Sequence, residues 1–416
     1  MHELIVHGAE WTDKIGFVYP NEFIYWSIQI VMYPYMTGLV AGAFVLSSLY
    51  HVFDQKDLKE MARFSLVFSL CLLPVAMMPL MLHLQQPLRG IEVMMTPHFT
   101  SAIAAFGIVF STYAVIVMSE IWFVYRVFFV EQARALKGQP GIANRFKRIV
   151  YTVLTLGAYD LSDEAVAKDK KAVRLLAGIG IPVAGFLHGY AGFIFGSVKA
   201  NALWMSPLMP VIFIMSAVVS GIALCMLTYL IIMEWQKFRA ILAKGRGDAS
   251  VDLLRGVEMD LMTKTSRYLL MFLVAAITLE LLDLIFRGYT AMKSWDVLRE
   301  VMFKEDFVKI FILQYGLGNL VPFILLLLPR LTIRRTALAL VLVLFGVFMM
   351  RWNVVIGGQA FSLSFVGFMH YDLPIIPHNL ETYKEGLLGA LTVAATPFVL
   401  FWGVNKLLPS LTFRKQ

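Results

Sequence analysis

The chain has 416 residues, 59% of them hydrophobic and only 15% charged, with a mean hydropathy of +0.72. A soluble domain carries roughly 25% charged residues, so this composition excludes a soluble protein. The formal charge of +8 lies between apolar runs, not on the polar face or arm of a nucleic-acid reader, and points to lipid headgroups and topology.

The first 22 residues, with Glu3, Glu10 and Asp13, lack the basic start and apolar core of a cleavable signal peptide and read as a short outer segment. A membrane span needs about 20 predominantly apolar residues. Segments that meet this test run from Phe23 to His51, Ala62 to Leu84, Phe99 to Phe129, Ala172 to Ser197, Leu208 to Trp235, Ser266 to Phe286, Val308 to Leu328, Thr336 to Ile356 and Gly386 to Leu408. The expected fold is therefore all-α, a polytopic bundle of nine spans, with eight and ten as the neighbouring counts. It forms a single integral membrane domain: segment 1–22, bundle 23–408 and tail 409–416.

Between the spans, Ile149 to Ala158 is apolar but too short to cross and reads as interfacial. The basic stretches Glu131 to Lys171 and Lys237 to Lys264 read as solvated connections. Lys and Arg are concentrated in the loops after spans one, three, five and seven and in the C-terminal tail. By the positive-inside rule this places the N-terminus outside and the C-terminus in the cytoplasm. Gly38-x-x-x-Gly42, Gly185-x-x-x-Gly189 and Gly192-x-x-x-Gly196 fit close helix packing. Pro34, Pro74, Pro79 and Pro182 are expected to kink spans one, two and four, where freed carbonyls need protein or a polar cavity to receive them.

With this topology the ionisable residues gather near the outer face. His83, Arg89 and His98 flank the connection between spans two and three, and His188 lies in the outer part of span four. Glu280, Asp283 and Arg287 share one face of span six at i, i+3, i+7. Arg351 and Asn353 end span eight. Such groups are costly in a membrane unless paired or used. A quinone pocket accounts for them: an apolar slot, hydrogen-bond donors for two carbonyls, and a histidine or carboxyl to exchange protons. Buried ion pairs that fix helix packing are the structural alternative. Glu120 and Glu234, near the inner ends of spans three and five, are candidates for a proton path or for groups reaching back to the cytoplasmic interface.

Haem would need axial ligands, but the membrane-proximal histidines His51, His83, His98 and His188 show no repeated pair along a helix. Cys71 and Cys225 lie inside apolar runs and are too few for an iron–sulfur cluster, which takes about four thiolates. No metal site, haem or cluster is expected. Such a protein does not carry electrons far by itself and needs a partner that delivers them.

Three motifs sharpen this reading: His83-Leu-x-x-Pro87-x-Arg89; His188-Gly-Tyr-Ala-Gly-Phe-Ile-Phe-Gly196 with Leu203-Trp204; and Arg351-Trp-Asn-Val-Val-Ile-Gly-Gly-Gln359. On these motifs the chain resembles the NrfD/PsrC family of quinone-interacting membrane subunits, closest to the QrcD type of menaquinone reductase and the DsrP type. The resemblance implies a respiratory oxidoreductase complex in a bacterial or archaeal cytoplasmic membrane, with menaquinone as substrate near the outer face. It also implies an extracytoplasmic ferredoxin-like iron–sulfur partner, with a multihaem cytochrome c or molybdopterin-type protein as a further component. Carried onto this sequence, it points to His83, Arg89, His98 and His188; Glu280, Asp283, Arg351 and Asn353 come from depth and pairing. His83, His98, Asp283 and Glu280 are the candidates for proton chemistry. A transporter or proton channel, which calls for midplane sites and related halves, and a purely structural anchor are the competing classes.

Overall fold

A computed structural model describes residues 24–98, 100–198, 201, 203–245, 257–290, 295–360 and 368–411. The outer segment 1–22 and most of the tail 409–416 lie outside them. Among the described residues, nine helices are long and apolar enough to cross a membrane: α1 (Ile28–His51), α2 (Lys56–His83), α3 (Ala104–Ala135), α4 (Asp163–Gly196), α5 (Met209–Leu242), α6 (Met259–Tyr289), α7 (Val308–Leu327), α8 (Ile333–Ala360) and α9 (Leu387–Val404). All nine match the apolar segments expected from the sequence. One end of the bundle carries His83; the other carries most of the basic residues.

Several helices overrun their apolar segments at the basic end. α4 starts at Asp163, capped by the Ser162 side chain, and α5 and α6 extend to Leu242 and back to Met259. Charged residues outside the hydrocarbon cost nothing to a helix, so backbone hydrogen bonding continues past the point where hydropathy falls. The expected interfacial stretch, Ile149 to Ala158, is the second half of the helix Ile142–Leu154 and the turn after it. The helix exposes Ile142, Phe146, Ile149 and Val153 on one stripe and turns Tyr151 inward, where its hydroxyl donates to the Leu407 carbonyl at 3.2 Å.

α1 and α5 form the centre. α1 packs on α2, α4, α5 and α8, and α5 packs on α1, α4, α6 and α8. The closest approach is at Gly42 and Gly221, where a Cβ on either residue would run into the backbone of the other helix. Gly192 and Gly196 press against the start of α5 and the turn before it, and Gly189 against Ile214. Gly185 has open space around it, so that half of its motif is not a contact. α6, α7 and α9 are peripheral and turn apolar residues such as Ile285, Ile312 and Val399 outward, as a lipid-facing surface requires.

α2 is interrupted between Val75 and Met78, beside Pro79, which has no N–H to continue the helix. α1 and α4 carry Pro34 and Pro182 without a break. α7 is π-helical over Val308–Leu320, and a second π-helical turn, Asn353–Gly357, follows Trp352 in α8. Such wide turns recur at functional sites because they re-aim side chains. Both border the same cavity at the His83 end.

Candidate functional site

The polar residues singled out from the sequence separate into distinct groups in space. The first borders a cavity of about 100 Å³ between α5, α6, α7 and α8 at the His83 end. Its wall is apolar, with Leu203, Met209, Ile212, Ile310 and Met350, and its polar side carries Glu280, Asp283, Arg287, Gln314, Tyr315 and Asn353. Glu280 Oε2 accepts from Gln314 Nε2 at 2.9 Å, and the Tyr315 hydroxyl also hydrogen-bonds this carboxyl. Gln314 Oε1 accepts from Asn353 Nδ2 at 2.8 Å, and the same nitrogen reaches the Lys309 carbonyl at 3.3 Å. Asn353 is 6% exposed, and its Oδ1 is buried with no hydrogen-bond partner among the described residues. Because both donors of the amide are engaged, this oxygen is an acceptor available to a ligand.

Asp283 forms the second side of the cavity. It binds Arg287 Nε at 2.9 Å, one helical turn on, and takes a hydrogen bond from the Ser206 hydroxyl. Arg287 also reaches the Leu203 carbonyl at 3.3 Å. This pair ties α6 to the α4–α5 turn and satisfies both buried charges. α6 touches α7 near Val321–Leu327, but the two diverge along the π-helical part of α7. Where they diverge, Glu280 of α6 still meets Gln314 and Tyr315 of α7 at the cavity.

The second group is closed. Arg351 is fully buried; one guanidinium nitrogen lies 2.9 Å from His188 Nε2 and 2.7 Å from Ser216 Oγ. The guanidinium also stacks 3.8 Å from the centroid of Phe213. An arginine only donates, so His188 accepts at Nε2 and carries its proton on Nδ1, which faces Thr37 Oγ1 at 3.4 Å. Gly38 makes this possible: a Cβ there would sit 3.1 Å from the His188 ring. Four helices, α1, α4, α5 and α8, are pinned at this point.

The third group is half open. His83 Nδ1 lies 3.0 Å from Glu385 Oε2, with the side chains 21% and 25% exposed, and the Ser27 hydroxyl donates to the same carboxylate. Burial by itself would raise the Glu385 pKa; the hydrogen bonds from His83 and Ser27, with the charges of His83 and Lys384, outweigh it and hold the carboxyl below its ordinary value. The Tyr371 hydroxyl accepts from the Ile28 N–H at 3.1 Å close by. Arg89 and His98 stand apart on the exposed connection. Arg89 engages Glu92 at 3.1 Å and Gln86 at 3.2 Å, and His98 meets Thr100 at 2.7 Å.

Towards the basic end, Glu120 is fully buried, and among the described residues neither carboxyl oxygen has a hydrogen-bond partner. Glu234 accepts from the Val257 N–H at 3.5 Å. The reading from sequence did not single out Gln314, Tyr315, Ser216, Thr37 or Glu385. Gln314 was detectable as one of two amides, with Asn319, in the apolar span seven; Glu385, just before span nine, gave no sign of its partner.

Nine candidate membrane-spanning helices around buried polar groups define a multi-span membrane protein with an internal polar site. The chain belongs to the NrfD family: the model of the family described as "Polysulphide reductase, NrfD" matches residues 19–363. It is similar to the C subunit of the selenate reductase of Mesobacillus selenatarsenatis, 26% identical over 332 residues, covering 80% of this chain and 73% of that protein. It is likewise similar to the putative membrane (C) subunit of the dimethyl sulfoxide reductase of Halobacterium salinarum, 26% identical over 359 residues, covering 85% and 71%.

Proposed function

We propose that this protein is the quinone-reactive membrane subunit of a respiratory oxidoreductase complex, with the quinone head group in the cavity bordered by Glu280, Tyr315 and Asn353. The observation that carries the reading is the pairing of an apolar wall with a free buried acceptor, Asn353 Oδ1, beside a carboxyl held by Gln314 and Tyr315. A quinone carbonyl calls for a donor and a hydroquinone hydroxyl for an acceptor. Glu280, in its protonated form and positioned by Gln314 and Tyr315, serves the first, Asn353 Oδ1 the second. Reduction takes two electrons and two protons into the ring; oxidation runs the same groups in reverse. The isoprenoid tail leaves between α6 and α7 towards lipid.

The substrate assigned is menaquinone, and the membrane is a bacterial or archaeal cytoplasmic one. The clustering of basic residues supports a cytoplasmic position for the opposite end; on this reading the cavity lies near the outer face, where a ferredoxin-like iron–sulfur protein docks and exchanges electrons with it. A multihaem cytochrome c or molybdopterin-type protein completes the circuit. The names of the two relatives, both subunits of reductases, support a complex of this kind. Glu120, a buried carboxyl with no hydrogen-bond partner among the described residues, and Glu234 serve proton uptake from the cytoplasmic side. Each charge moved across 100 mV is worth roughly 2.3 kcal/mol.

A specific observation favours a second seat for the head group. His83, oriented by Glu385 and a fifth exposed, is a carboxylate-coupled proton donor at the same end, with Arg89 and His98 on the connection beyond it. Quinone turnover by the purified complex separates the two. We expect Glu280→Gln and Tyr315→Phe to cut turnover with assembly intact, and His83→Ala to act more weakly. Normal turnover in the first two with loss in His83→Ala moves the head group to the His83 seat. Normal turnover in all three overturns the quinone assignment.

A further inference from the structure

At the basic end a second cavity, of about 480 Å³, opens between α1, α2, α3 and α4. Its rim carries four cations, Lys59, Arg63, Lys170 and Arg174. Among the described residues none of them forms an ion pair; Arg63 lies 5.6 Å from the centroid of the Tyr125 ring. The two carboxylates of the rim do not offset them. Asp169 is already bound by Arg126 at 2.7 Å, which leaves Asp54 against four positive groups. Lys59 and Arg63 also line an adjoining cavity with Asp57, Glu60, Glu258 and Asp260, where Lys264 pairs with Asp57 and Asp260; of the two cavities, Lys170 and Arg174 face only the one between α1, α2, α3 and α4.

The wall beside the cations is apolar, formed by Phe123, Val124 and Val127 of α3 and by Val166 and Val173 of α4. Lys59 begins the continuous part of α2 and Arg63 follows one turn in. Lys170 and Arg174 stand on α4 where its apolar segment begins. The cations therefore ring the cavity at headgroup depth, and the wall continues into the hydrocarbon. The surface helix Ile142–Leu154, with its exposed apolar stripe and Arg145, Lys147 and Arg148, lies at the same end.

We infer that this cavity is a binding site for an anionic phospholipid of the leaflet at the basic end. The phosphate is held by Arg63, Lys170 and Arg174, and the acyl chains lie along Val124, Val127 and Val173. Uncompensated cations above an apolar wall fit a molecule with an anionic head and a hydrocarbon body. A soluble phosphate would leave the wall uncovered, and a zwitterionic lipid would leave the charge uncompensated. Basic pockets between helices on the cytoplasmic side recognise anionic headgroups in this way.

The test is native mass spectrometry of the full-length protein in detergent, titrated separately with phosphatidylglycerol, phosphatidylcholine and inorganic phosphate. Phosphatidylglycerol is expected to stay bound in excess phosphate and to outcompete phosphatidylcholine. Each basic contact is worth roughly a fivefold change in affinity, so Lys170→Gln with Arg174→Gln should weaken binding about 25-fold. Both residues are exposed, so the double variant keeps its packing. Lys304→Gln, at the opposite end, should leave binding unchanged. Equal retention of phosphatidylcholine, displacement by inorganic phosphate, or an unaltered double variant would each overturn the assignment.

Discussion

Asn353→Ala separates the two tasks assigned to one amide. In the folded chain Nδ2 donates to Gln314 Oε1 at 2.8 Å, and the truncation leaves that oxygen buried without a donor. The cost is about 1–3 kcal/mol. Gln314→Ala removes the same bond and also frees Glu280. Removing both partners costs less than orphaning one, so the double variant should be more stable than the sum of the single losses predicts. Oδ1 carries the second task. A hydrogen bond to a ligand hydroxyl contributes about 0.5–1.5 kcal/mol, so Asn353→Ala should lower kcat/KM for the quinol by roughly 2- to 13-fold. Denaturant unfolding followed by tryptophan fluorescence reads the first effect, and quinol-linked turnover of the purified complex reads the second. Strictly additive stability losses would refute the Asn353–Gln314 coupling. An unchanged kcat/KM would remove Oδ1 from the site.

Three further outcomes follow from the geometry. The Glu385 carboxyl titrates below its ordinary value of 4.5, so its tie to His83 and Ser27 stabilises the fold fully above that pH and is lost as pH falls through the depressed value; Glu385→Gln should remove this component of acid sensitivity in unfolding curves recorded on both sides of pH 4.5. Gly42→Leu forces side-chain atoms into the backbone contact between α1 and α5, and a drop in stability of at least about 1–3 kcal/mol is expected in thermal unfolding, whereas Gly185→Leu, in open space, should leave the midpoint unchanged. Glu120→Gln gives up no hydrogen bond and should leave the melting temperature close to wild type while slowing proton uptake, followed with a pH-sensitive dye in liposomes holding the complex; wild-type uptake would take Glu120 off the path.

His188 and Arg351 show how far residue type and depth can be pushed. Both read as pocket candidates because each is ionisable and lies inside an apolar segment. Their contact at 2.9 Å engages each with the other, and together with Thr37 and Ser216 they pin four helices. Glu280 and Asp283 read alike on one helical face. Asp283 is taken by Arg287 and Ser206, whereas Glu280 turns to Gln314 and Tyr315. Arg89 and His98 share the motif region of His83 but not its environment. A difference of a few residues along a loop decides between a half-buried pair and an exposed side chain.

The sequence by itself determined the class of protein, the nine apolar helices, and which residues are too costly to sit in a membrane without a purpose. These properties are sums over short windows: hydropathy needs about 20 consecutive residues, and the cost of a charge belongs to the residue itself. Only the tertiary structure decided the partners. His83 meets Glu385, 302 positions away, and Asn353 meets Gln314, 39 positions away. Those pairings depend on how π-helical turns re-aim side chains and on where glycines let helices approach. Hydrophobic periodicity carries no record of either, because most faces of a buried helix are equally apolar.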